Sequence, residues 1–301
     1  MIPSQKTALF ILALSSSVFF SSCGGSPEEE TTSTDTTAKV EDQKSGLDQE
    51  MIGIPSPSDM LGFIRMTTKG VQGNNTAFLN PYDNLKNYRD SKSMALNFGI
   101  YSCDLSYCSI FGNGTAAQEY FKAAKTLGEE VGVSSVVTPE MMKRAESNLK
   151  YPDSLVVIAD ELYFSASEVL EKNGKGPNLA LVIAGGYVES LHIAANIIQF
   201  DTKSPALNRF ADQKYVLEDV ILYMRKFESD PGVSESIKKM EELTTAFNQI
   251  QEKKVEAPKA DSQKGKKRVF GGGTVLEMNK EQFASIASKI KEVRNAFAQI
   301  K

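Results

Sequence analysis

From about residue 56 onward, apolar residues recur every three to four positions, the period of helices that bury one face. Start and stop signals divide this pattern into elements. A short helix is predicted over 58–68, followed by a Gly/Asn-rich loop. A long helix over 91–111 carries Met94, Phe98, Tyr101, Leu105 and Cys108 on one stripe and breaks at Asn113-Gly114. Thr115 with Gln118 has capping-box spacing for the next helix, which stops at Gly132. Pro139, Pro152, Pro177, Pro205 and Pro231 each open a helix, at positions where a missing N–H loses no hydrogen bond. Asn279 with Gln282 caps the last helix, whose stripe is Phe283, Ile286, Ile290, Val293, Phe297 and Ile300. The short links near 173–177, 201–204 and 229–232 make successive helices antiparallel neighbours. Only 252–278 departs from the helical period: Lys254–Ala257 and Arg268–Leu276 read as two β runs around a polar loop. The expected fold is all-α, an antiparallel multi-helix bundle or stacked helix hairpins of about eight helices, with one small β-hairpin near 252–278. The helix starts near 152, 177, 205 and 232 are almost evenly spaced, but no residue motif recurs with them, so a repeat array is not supported.

The N-terminus follows a different pattern. Lys6 is the only charged side chain in the first 27 residues, and an apolar run from Ala8 to Phe20 leads into Ser21, Ser22 and Cys23. About 13 apolar residues are too few to span a bilayer core of roughly 30 Å as a helix. The segment resembles a lipobox, in which the cysteine is acylated and the peptide bond before it is cut. Phe20 stands where that pattern usually has Leu, and Ser22 where Gly or Ala is common. Each buried acyl methylene contributes roughly 0.8 kcal/mol, so several chains hold a protein firmly to a membrane. Gly24, where an aspartate would favour inner-membrane retention by the same resemblance, points to the outer membrane. Glu28-Glu29-Glu30 resembles an acidic surface-export signal, and Asp35-Thr36-Thr37 an O-glycosylation acceptor; a solvated linker is the favoured reading of the first and chance occurrence of the second. Residues 24–55 hold few large apolar side chains and are expected to be a disordered tether reaching roughly 30 Å. The expected organisation is a signal peptide over 1–22, lipidated Cys23 with an acidic, Ser/Thr-rich tether over 23–55, and one helical domain over 56–301.

Composition removes several function classes. Without residues 1–22, 33 basic side chains face 38 acidic ones, so no basic face for nucleic acid is expected. A basic loop inside 252–268 reads as a soluble turn sooner than as a phosphate or lipid site. The triple glycine 271–273 lacks the Gly-Lys-Ser/Thr ending of a P-loop, so no nucleotide is assigned. Cys103 and Cys108 lie five apart on a predicted helix, about 140° round its axis, and are expected to be small buried thiols; a disulfide would need a different local structure. No cofactor is implied.

The candidate chemistry sits on two helices. Residues 179–198 are apolar on nearly every side, yet Glu189, His192, Asn196 and Gln199 form one polar stripe. The stripe reads first as a solvent-facing edge and second as a polar pocket inside the bundle. Glu189 and His192 match the Glu-x-x-His spacing of di-iron bundles, which need a second such pair; with one histidine in the chain, no metal site is assigned. Gly185-Gly186 weakens the helix by roughly 2 kcal/mol and calls for a close helix crossing or a ligand near the backbone. On the 91–111 helix, Asn97, Ile100, Asp104, Tyr107 and Phe111 share a face, and a carboxylate there must be hydrogen-bonded if buried. The candidate pocket set is Asp104, Tyr107, Tyr187, Glu189, His192 and Asn196, with no catalytic residue assigned. If Asp104 and Glu189 met, they would offer an acid/base pair of the kind glycoside cleavage uses.

Asn80-Pro81, the run Ala95–Tyr101, the run Asp104–Tyr107 and the run Ala184–Leu191 together resemble a group of helical bacterial lipoproteins. This chain has Tyr187 where that group has Trp and Ser190 where it has Gly. The resemblance runs from about residue 56 to the end and implies fold and location, with no activity to carry over. The leading expectation is a non-enzymatic, lipid-anchored module on the periplasmic or surface face of the outer membrane. It would bind the membrane through acylated Cys23 and an unidentified protein or small-molecule ligand. An envelope hydrolase using Asp104 and Glu189, and a purely structural envelope protein with no pocket and an exposed apolar patch, are the alternatives.

Overall fold

Helices α2 (Ser91–Ile110) and α6 (Gly176–Ile197) meet backbone to backbone, and the other elements pack around that crossing. The sequence permits this contact through glycine. A Cβ at Gly99 would lie 2.0 Å from the Val182 carbonyl oxygen and 2.7 Å from the Gly186 nitrogen, and one at Gly185 would lie 2.0 Å from the Leu96 carbonyl oxygen. The helix weakness that Gly185-Gly186 implies is therefore offset by a close crossing. Every residue of α6 from Leu179 to Ala194 is buried, so this helix, long and apolar enough to cross a membrane, has its flanks covered by other helices.

The structure is a computed structural model and describes residues 54–67, 75–255 and 273–300. The signal segment, Cys23, all but the end of the tether, and residues 256–268 of the basic loop lie outside the described residues. Among the described residues are ten α-helices and one two-stranded antiparallel sheet. Besides α2 and α6, the helices are α1 (Pro57–Thr67), α3 (Gly114–Val131), α4 (Pro139–Ser147), α5 (Pro152–Lys172), α7 (Pro205–Ala211), α8 (Gln213–Arg225), α9 (Pro231–Phe247) and α10 (Lys280–Phe297). A 3-10 turn, Tyr82–Asn87, precedes α2. The all-α bundle with a small hairpin is the fold that the periodicity predicts. Strands β1 (Gln251–Val255) and β2 (Gly273–Glu277) pair with Gln251 opposite Glu277 and Val255 opposite Gly273.

Capping explains most boundaries. Asp90, Thr138 and Asp230 each accept a backbone N–H of the following turn, and Asn279 with Gln282 closes a reciprocal capping box. Gly132 ends α3 in the left-handed conformation, φ 101°, which favours glycine. Two boundaries differ from expectation. Asn113, not Thr115, caps α3, since its side chain accepts from the Ala116 N–H and starts the helix at Gly114. The single helix expected from Pro205 divides at Asp212, where the Gln213 side-chain amide donates to the Arg209 carbonyl and Tyr187 donates to the Gln213 carbonyl. The Gln213 side chain thereby takes the Arg209 carbonyl, a ladder acceptor at the break. Cys103 and Cys108 are both buried on α2 and unbridged.

The crossing makes a sharp prediction. Gly185→Ala drives a methyl into the Leu96 backbone and is expected to destabilise by about 3 kcal/mol or more. Gly62→Ala on α1, where a Cβ meets nothing within 4 Å, is expected to be neutral or to stabilise by up to about 1 kcal/mol. Urea unfolding followed by helical circular dichroism measures both.

Candidate functional site

The α2–α6 crossing brings two carboxyl groups together. Asp104 projects from α2 and Glu189 from α6; both have no solvent exposure and lie within hydrogen-bonding reach of each other. Arg294 reaches them from α10, where it is 3% exposed. Its Nε donates to Glu189 Oε2 at 2.7 Å and its Nη2 to Oε1 at 3.0 Å, a planar two-pronged grip on the carboxylate. One guanidinium therefore faces two carboxyls in a dry interior. The arrangement is neutral only if one of the two is protonated.

Asp104 is that group. Burial pushes its carboxyl well above the usual carboxylate range, and the negative charge on Glu189 pushes it further; Arg294 and the Asn80 N–H pull the other way without prevailing. As an ionised carboxylate its Oδ1 would have no hydrogen-bond donor. Protonated, it becomes a donor, and Glu189 is the acceptor beside it. Oδ2 meanwhile accepts the Asn80 N–H at 3.3 Å. This proton makes the cluster an internally satisfied ion pair plus a neutral acid, the form in which buried charge is tolerable.

Around this centre the remaining polar groups are satisfied in turn. The Asn80 side-chain amide donates to Asn97 Oδ1 (3.1 Å) and to the Tyr88 hydroxyl (2.9 Å). Asn97 donates to the Ser93 and Phe297 carbonyls, and the Tyr88 hydroxyl donates to the Ala298 carbonyl. Asn97 and Tyr88 thus supply donors for carbonyls that α10 leaves unpaired at its C-terminal end. The Phe78 carbonyl lies 3.0 Å from His192 Nε2 and accepts from Arg294 Nη2 at 3.4 Å. Because a carbonyl can only accept, this places the His192 proton on Nε2. Burial lowers the His192 pKa, and Glu189 only partly opposes it, so the ring is neutral at pH 7.

The polar stripe of α6 is therefore not a solvent-facing edge at Glu189 and His192, which are buried. It reaches the surface only farther along, where Asn196 and Gln199 are exposed and Asn196 donates back to the His192 carbonyl. Asn196 therefore stands at the exposed edge of the cluster, its Nδ2 3.5 Å from His192 Nε2. Tyr187 also falls outside the cluster. Two residues from Glu189 on a helix is about 200° round the axis, and its hydroxyl bonds the Gln213 carbonyl on another side. Tyr107 borders the cluster, with its hydroxyl on the Asn75 carbonyl and its ring 5.4 Å from that of Phe78. Asp104, Glu189 and His192 are brought together as a filled polar core.

Arg294 is the member that sequence reasoning missed. The signal was present: it lies four residues after Ile290 and three before Phe297, inside the apolar stripe of the last helix, where an arginine has to find a buried anion. Asn80 carried no comparable signal, because a loop has no period to betray burial.

Asp104 and Glu189 lie within hydrogen-bonding reach, closer than the roughly 5–9.5 Å between carboxyls that flank a scissile glycosidic bond, and Arg294 occupies both oxygens of Glu189. Among the described residues, no group of three or more His, Cys, Asp or Glu side chains could hold a metal ion. A different feature offers open space. A groove of about 840 Å³ lies between α7 and the hairpin, lined by Leu207, Asn208, Asp212, Leu276 and Gln282 among others. Comparison with protein families, with curated proteins and with solved structures finds no match for this chain.

The proton on Asp104 sets a pH dependence. A carboxyl whose folded pKa is raised contributes most at pH below its unfolded value and loses that contribution as pH climbs toward the folded one. In that window wild type should lose about 1.4 kcal/mol per pH unit relative to Asp104→Asn, which keeps a donor for Glu189 and an acceptor for Asn80 without titrating. Urea unfolding of both proteins from pH 4 to 9 gives the difference, and parallel curves would contradict it. Arg294→Met, which strips the only cation from two buried carboxyls, is expected to cost about 3–5 kcal/mol. Glu189→Gln should cost less, since Asp104 is then free to ionise beside Arg294.

Proposed function

We propose that this chain is a lipid-anchored cell-envelope protein, acylated at Cys23 on the outer membrane, whose helical domain is a non-enzymatic module binding a ligand or a protein partner. The observation that carries the anchor is the ending of a short apolar run in Ser21-Ser22-Cys23, followed by Gly24 and a polar tether. The helical bundle fits such a module: its ionisable core residues are consumed by one another, which leaves them to hold the scaffold and not to turn over a substrate. The groove between α7 and the hairpin, with mixed polar and apolar walls, supports a binding role over a purely structural one. Of the exposed large apolar side chains, Tyr215 and Leu222 share one face of α8 while Met66, Tyr82, Tyr151 and Val275 lie on separate segments, too scattered to support a broad structural packing face. The envelope-hydrolase reading has only the meeting of Asp104 and Glu189 in its favour, and their burial opposes it.

Fractionation tests the anchor. The native chain is expected in the membrane fraction and Cys23→Ala in the soluble fraction, with the domain equally folded. A Cys23→Ala protein that stays with the membrane would overturn the assignment.

A further inference from the structure

The carboxyl cluster is roofed by a segment that belongs to no helix of the bundle. Residues 75–90 lead into α2 and contain only the Tyr82–Asn87 turn. Of these residues only Leu79, Asn80 and Tyr88 are buried, and Phe78 and Leu85 pack partly buried against the core, so less apolar surface holds the segment than holds a helix of the bundle. A set of polar bonds converging on the cluster adds to that hold. The Phe78 carbonyl meets His192 and Arg294, the Asn80 N–H meets Asp104, the Asn80 amide meets Asn97, and the Asn75 carbonyl accepts from Tyr107. The half-buried Phe78 ring stands edge-on to Tyr107 and His192. Beneath it, α2 and α6 cannot part to admit water without undoing the glycine crossing that the bundle is built on. If the charge of the cluster changes, the strap is the element that can yield.

We propose that residues 75–90 form a proton-gated strap: it seals Asp104 and Glu189 while the two share a proton, and lifts as a local unit when that proton leaves. Without the proton, two touching carboxylates and one guanidinium would be enclosed away from water. The groups facing Asp104 offer no further relief. They are Glu189 and Arg294 from α6 and α10, Tyr88 from the strap, Tyr120 from α3, and Tyr101, Cys103 and Cys108 from its own helix. His192, on α6, faces Glu189 and Arg294. Burial pushes the four-membered set of Tyr88, Tyr101, Tyr120 and Cys108, and Cys103 with them, above their ordinary ranges, while His192 is lowered; all stay neutral as pH rises through 8. Among the described residues Arg294 is the cation that faces Asp104, and Lys291 acts on His192. Burial is the largest influence against ionising Asp104, and the Asn80 N–H is the smallest of those favouring it. Lifting the strap forfeits the bonds that Asn75, Phe78 and Asn80 make to the cluster, each of modest net worth. It returns two carboxylates to water, which weighs more, so the balance favours opening.

The chain contains no tryptophan, so Phe78→Trp installs a single fluorescent reporter in the strap. In the full chain, acrylamide quenching of Trp emission is followed from pH 6 to 10 together with far-ultraviolet circular dichroism. The expected result is a several-fold rise in quenching through a one-proton transition, with the helical signal unchanged. The same reporter combined with Asp104→Asn should keep its pH 6 quenching throughout. Quenching that stays flat to pH 10, an equal rise in the Asp104→Asn background, or a rise that tracks loss of helix would each overturn the proposal. Should Phe78→Trp fail to fold, hydrogen exchange of the unsubstituted chain decides the matter, with rates corrected for base catalysis. Strap amides should lose protection tenfold per pH unit from a level well below that of the α6 amides, and Asp104→Asn should abolish that loss; a strap as protected as α6 throughout, or the same loss in Asp104→Asn, contradicts it.

Discussion

Placing a guanidinium and two carboxyl groups in a dry core is the constraint on which this structure turns. An unpaired charge there would be intolerable, and a pair is tolerable only when its geometry is good and every remaining lone pair or proton has a partner. Arg294 meets the first condition by gripping both oxygens of Glu189. A proton on Asp104 meets the second, turning an oxygen without a donor into a donor. The surrounding Asn80, Asn97, Tyr88 and His192 then complete a network in which donors and acceptors match.

This network joins parts of the chain that are far apart in sequence. Asp104, Glu189 and Arg294 come from the second, sixth and tenth helices, and Asn80 from the strap before the second. The apolar core would accept many arrangements of amphipathic helices, since burial is not directional. A two-pronged ion pair and a shared proton accept very few. The glycine crossing of α2 and α6 and the cluster are in this sense one device, because the backbones must touch for Asp104 and Glu189 to meet. The position of α10 follows from the same bonds: Arg294 fixes its face, and Asn97 and Tyr88 take the carbonyls at its end.

Much of this was legible in the sequence. Most helices and their limits followed from period, prolines and caps, although the described residues hold ten helices where about eight were expected, and the cost of Gly185-Gly186 announced a close approach. Asp104 and Glu189 stood out as carboxylates amid apolar neighbours. Their meeting could not be read, because periodicity gives the face of a helix and not the helix it faces. Tyr187 was set beside Glu189 although helical rotation turns it about 200° away, and Asn196, on the same stripe as Glu189, falls at the exposed end of α6. Arg294 escaped because attention to a stripe of apolar residues passes over the one charged residue embedded in it. The groove beside the hairpin depends on how β2 and α7 come together, which no local pattern encodes.

The central claim is that Asp104 carries a proton at neutral pH so that Glu189 can remain paired with Arg294. The most direct measurement is the side-chain carboxyl carbon resonance of Asp104 in isotope-labelled protein, assigned by its absence in Asp104→Asn and followed with pH. The account predicts the chemical shift of a protonated acid at pH 7, with no transition in the ordinary carboxylate range. An Asp104 resonance that titrates near pH 4 and is ionised at pH 7 would contradict it.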